Sequence, residues 1–183
     1  MGLLDDLTPD EAVRSIAEIS LDALVEGGIR GLLLDVDNTL VPYGSTQIDA
    51  ERLAWMWQAI KRFPVCLLSN SVRGKRVQAL TERLGVPGVC VWLWDRKPLG
   101  GGFRRALARL GTAPQHTAMI GDQLLTDIVG GNRAGLYTIW VQPITAREFV
   151  FTRQVSRRIE RMIARRLARR GIVVPWHTAE EER

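Results

Sequence analysis

Seven polar residues of this 183-residue chain have types and spacings that suit the transfer of a phosphoryl group. In chain order they supply two carboxylates two residues apart, a hydroxyl beside an amide, an amine, and a second pair of acids. Such a set can form a covalent aspartyl-phosphate: one acid attacks phosphorus, another moves protons, and a lysine with a metal ion neutralises the phosphate charge. The seven residues are Asp35, Asp37, Ser69, Asn70, Lys97, Asp122 and Asp127.

Each of these residues lies at or just after a short apolar run that predicts a strand. The runs are nearly continuous, which is typical of strands covered on both faces of a parallel sheet. Helical patterns separate them, and this alternation implies right-handed crossovers. The predicted strands are 29–34, 65–68, 89–93, 117–120 and 136–141, and the predicted helices are about 49–62, 72–84, 100–110 and 124–134.

The order of elements predicts an α/β fold, a three-layer Rossmann-like parallel sheet with helices on both faces. Ligands in such folds bind outside the carboxyl ends of the strands. The seven polar residues lie at those ends, which independently favours a site there. One more helix is predicted to begin at the capping box of Thr8 and Glu11, with Pro9 in its first turn, and to run to Gly27.

The composition is that of one globular domain. An apolar fraction of 46% and a charged fraction of 25% are ordinary for a soluble protein. No apolar run approaches the roughly 18 residues of a membrane span. The first ten residues lack the basic and apolar regions of a secretory signal. Cys66 and Cys90 lie in apolar runs and are interpreted as core residues in a reducing compartment, by default the cytoplasm.

The net charge of +5 is concentrated near the C-terminus. Residues 1–143 contain 15 basic and 15 acidic residues, whereas residues 144–183 contain 10 arginines and 5 glutamates. We therefore predict a catalytic domain over 1–143 and a basic amphipathic extension over 144–183. Apolar residues recur in the extension at helical spacing, with arginines on the other faces. These apolar residues are Val155, Ile159, Met162, Ile163 and Leu167.

Three interpretations of this extension stay open. Its helix can lie on anionic lipid, where each basic residue contributes about 1 kcal/mol. Its apolar stripe can instead pack on the domain and leave the arginines solvated. Binding to RNA is the least favoured of the three, and nothing in the sequence indicates an obligate protein partner.

Each catalytic motif also has a purely structural interpretation. The acidic pair alone would more often form a capping turn. Two close carboxylates also repel each other, and the arrangement persists only if a cation or a shared proton relieves that repulsion. Ser69 can start the helix that follows it, and a loop residue such as Lys97 is normally solvated. Thr126 can cap a helix whose dipole Asp127 then favours. The order of the motifs along the chain is what favours a catalytic role for them.

The segments Asp35-Val36-Asp37-Asn38-Thr39, Ser69-Asn70, Lys97-Pro98 and Gly121-Asp122 with Asp127 resemble the four motifs of the haloacid dehalogenase (HAD) superfamily of phosphatases. This resemblance implies that Asp35 is the nucleophile and that Asp37 is the general acid and base. It implies that Ser69 and Asn70 hold the substrate phosphate and that Lys97 neutralises charge. It also implies Mg²⁺, with Asp122 as a direct ligand and Asp127 as an indirect one or as the partner of Lys97. The metal set carried over is Asp35, Asp37, Asp122 and Asp127.

The intervals between motifs leave no room for a cap domain. From Asp35 to Ser69 there are 34 residues and from Ser69 to Lys97 there are 28, each used by one helix and one strand. The resulting open site suits a phosphate attached to something large, such as a protein, a nucleic acid or a membrane.

Further segments carry a narrower resemblance. They are Gly28-Ile29-Arg30-Gly31, Thr126-Asp127-Ile128, Gly130-Gly131-Asn132-Arg133, and Pro143-Ile144 leading to Phe151-Thr152-Arg153. They are similar to the YqeG-type subfamily, which is related to phosphatidylglycerophosphate phosphatases, over about residues 9–165. This resemblance implies a phospholipid substrate. Together with the basic extension, it predicts peripheral contact with the inner face of an anionic membrane. The alternatives are a phosphatase of soluble sugar or nucleotide phosphates, and an RNA- or ribosome-associated module that uses the basic extension.

Overall fold

The computed structural model describes residues 3–70, 74–91, 93–145, 162–169, 171 and 174–176. Within these residues, six parallel strands form one sheet in the order β1-β6-β5-β2-β3-β4. Strand β2 lies between β5 and β3, so the chain changes direction across the sheet at β2. The strands are β1 (Glu11–Val13), β2 (Gly31–Leu34), β3 (Val65–Ser69), β4 (Gly88–Cys90), β5 (Thr117–Gly121) and β6 (Tyr137–Val141).

Helices cover both faces of the sheet, and the predicted α/β fold is confirmed. Leu32 and Leu34 of β2 point to one apolar cluster, whereas Leu33 between them points to another. The first cluster contains Met56 and the second contains Phe103, so one helix lies on each side of the central strand. The helices are α1 (Leu3–Asp6), α2 (Leu21–Glu26), α3 (Ala50–Arg62), α4 (Gly74–Leu84), α5 (Gly100–Leu110), α6 (Val129–Arg133) and α7 (residues 162–169).

The connections from β2 to β3 and from β3 to β4 are short. The first forms α3, and the described residues of the second form α4. The described part of the chain therefore contains no cap domain over the carboxyl ends of β2, β3 and β5. In a parallel α/β sheet this edge, beside the strand where the chain changes direction, is where ligands bind.

The predicted helix from Thr8 to Gly27 is wrong. This segment forms β1, then a 3₁₀ turn at Ile16–Glu18, and only then α2. β1 lies parallel to β6, and the carboxylate of Asp10 accepts a hydrogen bond from the backbone N–H of Thr138 at 2.8 Å. Asp10 thus attaches an edge strand, and Glu11 of the predicted capping box is the first residue of that strand, because pairing with a distant strand outweighs local helix signals.

The C-terminal helix α7 packs on the domain. Ile163 and Leu167 are 1% and 0% exposed and share a cluster with Ile128 and Trp140. Burial of such a side chain contributes roughly 1.5–3 kcal/mol. The ring of Trp176 meets that of Trp140 edge-on, with centroids 4.8 Å apart.

The packing interpretation is therefore correct for Ile163 and Leu167, whereas Met162 of the predicted stripe is 43% exposed. Val155 and Ile159 of the predicted stripe lie outside the described residues, as do the arginines between them. The division of the chain at residue 143 stays a prediction. The helices that the structure describes are too short or too polar to cross a membrane.

The two cysteines have different environments. Cys66 is buried in β3, and this burial raises the pKa of its thiol to about 11. The interpretation of Cys90 as a core residue is wrong, because β4 is an edge strand and its last side chain is exposed.

Candidate active site

Lys97 lies at the centre of a buried cluster of charges. Its side chain is 2% exposed, and its amine donates hydrogen bonds to Asp35 Oδ1 and, at 3.0 Å, to the carbonyl of Leu68. The same amine lies 2.6 Å from Asp127 Oδ1. Burial alone would lower the pKa of Lys97, but the carboxylates of Asp127 and Asp35 outweigh it and raise that pKa. Lys97 is thus a buried ammonium group and not a solvated loop lysine.

The loop that carries Lys97 is held from two sides. Asn70 Oδ1 accepts a hydrogen bond from the backbone N–H of Lys97 at 2.9 Å, and Asn70 Nδ2 donates to its carbonyl at 3.3 Å. On the other side, α6 comes so close that a Cβ on Gly130 would lie 3.0 Å from Pro98 Cα and 2.5 Å from a ring carbon of Phe103. Both contacts fix the position of the amine.

Asn70 therefore has a role that the sequence did not indicate. It was predicted to hold substrate, but in the structure both ends of its amide contact the backbone of Lys97, 27 residues away. Its predicted substrate contact stays a prediction. Ser69, one residue earlier, is buried at the carboxyl end of β3, at the edge of the sheet where Asp35 follows β2.

Three of the predicted acids lie together. One carboxylate oxygen each of Asp35, Asp122 and Asp127 lies within 4.8 Å of the other two, and all three side chains are buried. Asp35 Oδ2 is buried and accepts no hydrogen bond from the described part of the chain. A buried carboxylate oxygen without a partner is unfavourable, so this atom fits a site for a cation.

Asp122 is oriented by one residue from the turn after β2 and one from β6. Its Oδ1 accepts a hydrogen bond from Thr39 Oγ1 at 3.2 Å, and its carbonyl accepts one from Trp140 Nε1 at 2.9 Å. Thr39 belongs to the first motif, whereas the contribution of Trp140 had no local sequence signal.

Asp127 combines two of the predicted interpretations. It pairs with Lys97, and its Oδ2 also accepts a hydrogen bond from the backbone N–H of Gln123 at 3.1 Å, which closes its own turn. A Cβ on Gly121 would lie 2.3 Å from that same oxygen, so only glycine allows this approach. Thr126 does not cap the helical turn at Leu124–Ile128, because its hydroxyl donates to the side chain of Gln123 at 3.0 Å.

Asp37 is the predicted site residue whose carboxylate is not part of this cluster. Its Oδ2 lies 2.5 Å from Arg76 Nη2, and its Oδ1 accepts a hydrogen bond from the backbone N–H of Gly44 at 3.2 Å. Arg76 also donates to the carbonyl of Ser45 at 3.0 Å, so it links α4 to the loop after β2. The predicted roles of Asp37 stay predictions, and Arg76 is an addition that sequence reasoning missed.

Comparison with known proteins decides the family. A HAD-hydrolase-like family model matches residues 95–143, which include Lys97, Asp122 and Asp127. The chain is 35% identical over 164 residues to the "Probable phosphatase YqeG" of Bacillus subtilis, and the match covers 89% of this chain and 92% of that protein. The chain belongs to the HAD-like phosphatases. It is a phosphoric monoester hydrolase, and its substrates are phosphomonoesters.

Two further proteins are similar to this HAD-like phosphatase. It is 32% identical over 179 residues to "Phosphatidylglycerophosphate phosphatase 1, chloroplastic" of Chlamydomonas reinhardtii, covering 93% of this chain and 65% of the algal protein. A crystal structure of an uncharacterized protein from Listeria monocytogenes matches 67% of this chain and 85% of that chain, with a TM-score of 0.53 and 20% identity. That structural match supports the fold alone.

The buried acids of this HAD-like phosphatase should make its stability depend on pH. Burial, with Asp127 and Asp37 adding to it and Lys97 opposing it, raises the pKa of Asp35 from 3.8 to about 7. Burial followed by the charges of Asp35 and Asp127 also raises the pKa of Asp122. A carboxyl group whose pKa is higher in the folded state binds protons more tightly there. The free energy of unfolding should therefore fall as the pH rises from 3.8 to about 7 in the absence of a cation.

Thermal unfolding between about pH 4 and about pH 8, with EDTA or with Mg²⁺, checks this expectation. A bound cation favours the ionised carboxylates, so Mg²⁺ should raise the melting temperature more at the high end of this range. Asp35→Asn should weaken that dependence, while Asp22→Asn, at a side chain that is 80% exposed, serves as the matched control. Equal effects of Mg²⁺ at all pH values would contradict a cation site at these acids.

Proposed function

We propose that this HAD-like phosphatase requires Mg²⁺ and acts through a covalent phosphate on Asp35. The observation that carries this proposal is Asp35 Oδ2, a buried oxygen without a hydrogen-bond donor among the described residues, beside the carboxylates of Asp122 and Asp127. Mg²⁺ in phosphate-handling sites usually takes one or two carboxylates and completes its coordination with water and phosphate oxygens. The cluster has the composition that such a site needs.

The predicted metal set divides by what each carboxylate already contacts. Asp127 is paired with Lys97 and Asp37 with Arg76, whereas Asp35 Oδ2 has no such partner among the described residues. Direct coordination therefore falls to Asp35 and Asp122, with Asp127 acting through Lys97 or through water. When bound, the ion would neutralise the phosphoryl oxygens and orient them for in-line displacement.

The chain's own residues supply the remaining chemistry. A carboxylate oxygen of Asp35 attacks phosphorus, and the bond from phosphorus to the ester oxygen breaks. Asp37 gives its proton to the departing alcohol and then removes a proton from the water that attacks the phosphorus of the acyl phosphate. The bond from phosphorus to Asp35 then breaks and inorganic phosphate leaves. Lys97 balances negative charge throughout, and the hydroxyl of Ser69, with Asn70 behind it, holds a phosphate oxygen.

This sequence of steps requires Asp37 to lose its ion pair with Arg76. A carboxylate is an ion-pair partner for the guanidinium of Arg76, whereas a protonated carboxyl group is not. Asp37 therefore exchanges its contact with Arg76 for a proton before it acts as the acid. Arg76 is in this respect a positioning residue for Asp37.

For the substrate we propose phosphatidylglycerophosphate, met at the surface of an anionic membrane on its cytoplasmic side. The name of the algal relative supports this choice, and so does a site without a cap domain in the described residues. The extension would contribute through its charge, since the apolar residues Ile163 and Leu167 of α7 are buried while Arg169 is exposed.

Release of inorganic phosphate from a panel of substrates tests the proposal. We expect Mg²⁺-dependent hydrolysis of phosphatidylglycerophosphate in vesicles, at a higher kcat/KM than for a sugar phosphate or a nucleotide. EDTA should remove the activity and added Mg²⁺ should restore it. A preference for a soluble sugar or nucleotide phosphate would replace the lipid as substrate, and full activity in EDTA would contradict the role of the metal.

A further inference from the structure

Exposed apolar side chains lie on the segments that follow the carboxyl ends of three strands, at the edge of the sheet that carries this site. Within the described residues, seven large apolar side chains are exposed, and four of them lie in the segments that follow the carboxyl ends of β2, β4 and β5. The segment after β5 includes a π-helical turn over Leu124–Ile128. Every one of these segments also carries residues of the acidic cluster or its lysine. The four, called the apolar rim below, are Tyr43 (57% exposed), Trp94 (87%), Leu99 (49%) and Leu125 (52%).

The rim residues lie close along the chain to the residues that handle phosphate. Leu99 is two residues after Lys97, and Leu125 is two residues before Asp127. Tyr43 precedes Gly44, whose backbone N–H donates to Asp37 Oδ1 at 3.2 Å. These apolar side chains are therefore carried by the same segments of chain as the acidic cluster and Lys97.

Trp94 and Leu99 of the rim lie in turns that are held by hydrogen bonds and an ion pair. Trp94 belongs to a 3₁₀ turn in which Asp95 pairs with Arg105 of α5 at 3.4 Å. The backbone N–H of Leu99 donates to the carbonyl of Arg96 at 2.7 Å. These contacts hold the loop in a conformation that directs the two apolar side chains to solvent.

The helical turn after β5, at Leu124–Ile128, also has one buried leucine beside an exposed one. Leu124 is buried in the cluster that includes Ile163 and Leu167 of α7, while its neighbour Leu125 is exposed. The basic helix α7 thus packs directly behind the loop that carries a rim residue. The buried Ile163 and Leu167 of α7 are not available for apolar contact with a surface, whereas Met162 of the same helix is 43% exposed.

The charges at this edge are complementary to an anionic surface. Arg96 lies between Trp94 and Leu99 and is exposed, and Lys75 is exposed in the first turn of α4, which follows β3. Asp95, the acid within this stretch, is already paired with Arg105. Each basic residue near an anionic bilayer contributes about 1 kcal/mol.

We propose that the apolar rim inserts into the interfacial region of an anionic phospholipid bilayer and brings the active site to phosphate groups of its lipids. Trp and Tyr favour that region because their rings are apolar on one side and polar on the other, and leucines add apolar area. RNA would use the aromatic rings and the cations but would leave Leu99 and Leu125 without a role. The proposal deepens the lipid substrate proposed above and rests on it for its function.

The test uses the full chain and vesicles of phosphatidylcholine, with or without phosphatidylglycerol. Its variant is Trp94→Ser/Leu99→Ser/Leu125→Ser, which changes none of the residues placed in the catalytic cluster. The matched control is Val25→Ser/Trp57→Ser, since these apolar residues are exposed to 43% and 42% but lie on α2 and α3. The single substitution Trp94→Ser gives a second, milder variant.

We expect the triple variant to lose at least about tenfold in binding to anionic vesicles, measured by cosedimentation, because three apolar contacts are removed from the interface. The single variant Trp94→Ser should lose a smaller part of this vesicle binding. Hydrolysis of p-nitrophenyl phosphate should be unchanged in both, and the control variant should behave as the wild type does. In wild type, brominated lipid should quench tryptophan fluorescence, and Trp94→Ser should reduce that quenching.

Several results would overturn the proposal: unchanged vesicle binding in the triple variant, equal loss in the control variant, or binding of the wild type to RNA but not to vesicles. A parallel loss of p-nitrophenyl phosphate hydrolysis would show that the rim shapes the site instead. The results that would overturn the substrate proposal are different ones. Rim-dependent vesicle binding without hydrolysis of phosphatidylglycerophosphate would overturn the substrate and support the rim, and rim-independent hydrolysis of that lipid would do the reverse.

Discussion

Asp35→Asn is expected to abolish phosphate release, with a loss in kcat on the order of 10⁶-fold, as for removal of a covalent nucleophile. An amide oxygen does not attack phosphorus and is a poorer cation ligand than a carboxylate. The fold should remain, because asparagine has the same shape and Lys97 keeps its contact with Asp127 at 2.6 Å. Steady-state kinetics with Mg²⁺ measures the loss, and circular dichroism checks the fold.

The covalent intermediate gives this expectation a second readout. Wild-type protein quenched in acid during turnover should carry one phosphate on the peptide that contains Asp35, and the variant should carry none. Asp22→Asn is the control, since it makes the same chemical change at an exposed residue paired with Arg62. Near wild-type activity, with mass spectrometry showing that the introduced asparagine has not deamidated to aspartate, would contradict the covalent mechanism.

The central part of the fold was predictable because its signals are redundant. Four strands are buried, nearly continuous apolar runs: β2, β3, β5 and β6. A polar motif follows β2, β3 and β5 at the carboxyl edge of the sheet. The apolar pattern and the position along the chain agree there, so the sequence placed Asp35, Ser69 and Asp122 at this edge of the sheet. Their closeness in space follows from the parallel sheet alone.

The N-terminal strand could not be predicted in the same way. β1 is three residues long and exists because β6 offers it a free edge, which a local pattern does not contain. The acids and serines of this segment favour helix starts, and Ser15 and Ser20 do cap short helices there. The prediction was wrong because it assigned one long helix to a segment that forms a strand, a 3₁₀ turn and a short helix.

The contacts that orient the site were also beyond the sequence. Asn70 reaches the backbone of Lys97, and Arg76 reaches Asp37, which lies 39 residues before it. Asn70 looked like a substrate ligand because it follows Ser69, and Arg76 looked like one more charge on an amphipathic helix. Such contacts depend on how distant segments of the chain pack together. Residue type and the spacing of apolar residues do not indicate that packing.

The second large effect is expected at Asp37 and depends on the leaving group. A glycerol-type alkoxide is a poor leaving group and needs a proton in the transition state, whereas p-nitrophenolate needs little help. General acid catalysis contributes about 10²–10⁴-fold, so Asp37→Asn should slow formation of the phosphoenzyme from an alkyl phosphate by about that factor. The aryl phosphate should be slowed far less in this step. Single-turnover release of each alcohol measures the first step alone, before the hydrolysis that also requires Asp37.

The ion pair with Arg76 requires its own control, because Asp37→Asn removes a charge from a contact of 2.5 Å between two side chains that are only 15% and 12% exposed. Arg76→Met removes the same ion pair but keeps the carboxyl group. If the proton from Asp37 causes the effect, Arg76→Met should keep the wild-type ratio of alkyl to aryl rates, even where both rates fall because Asp37 is less well positioned. Equal slowing of both leaving groups in Asp37→Asn would mean that Asp37 is not the acid. Its carboxylate would then act through its charge beside the metal site and through its contact with Arg76.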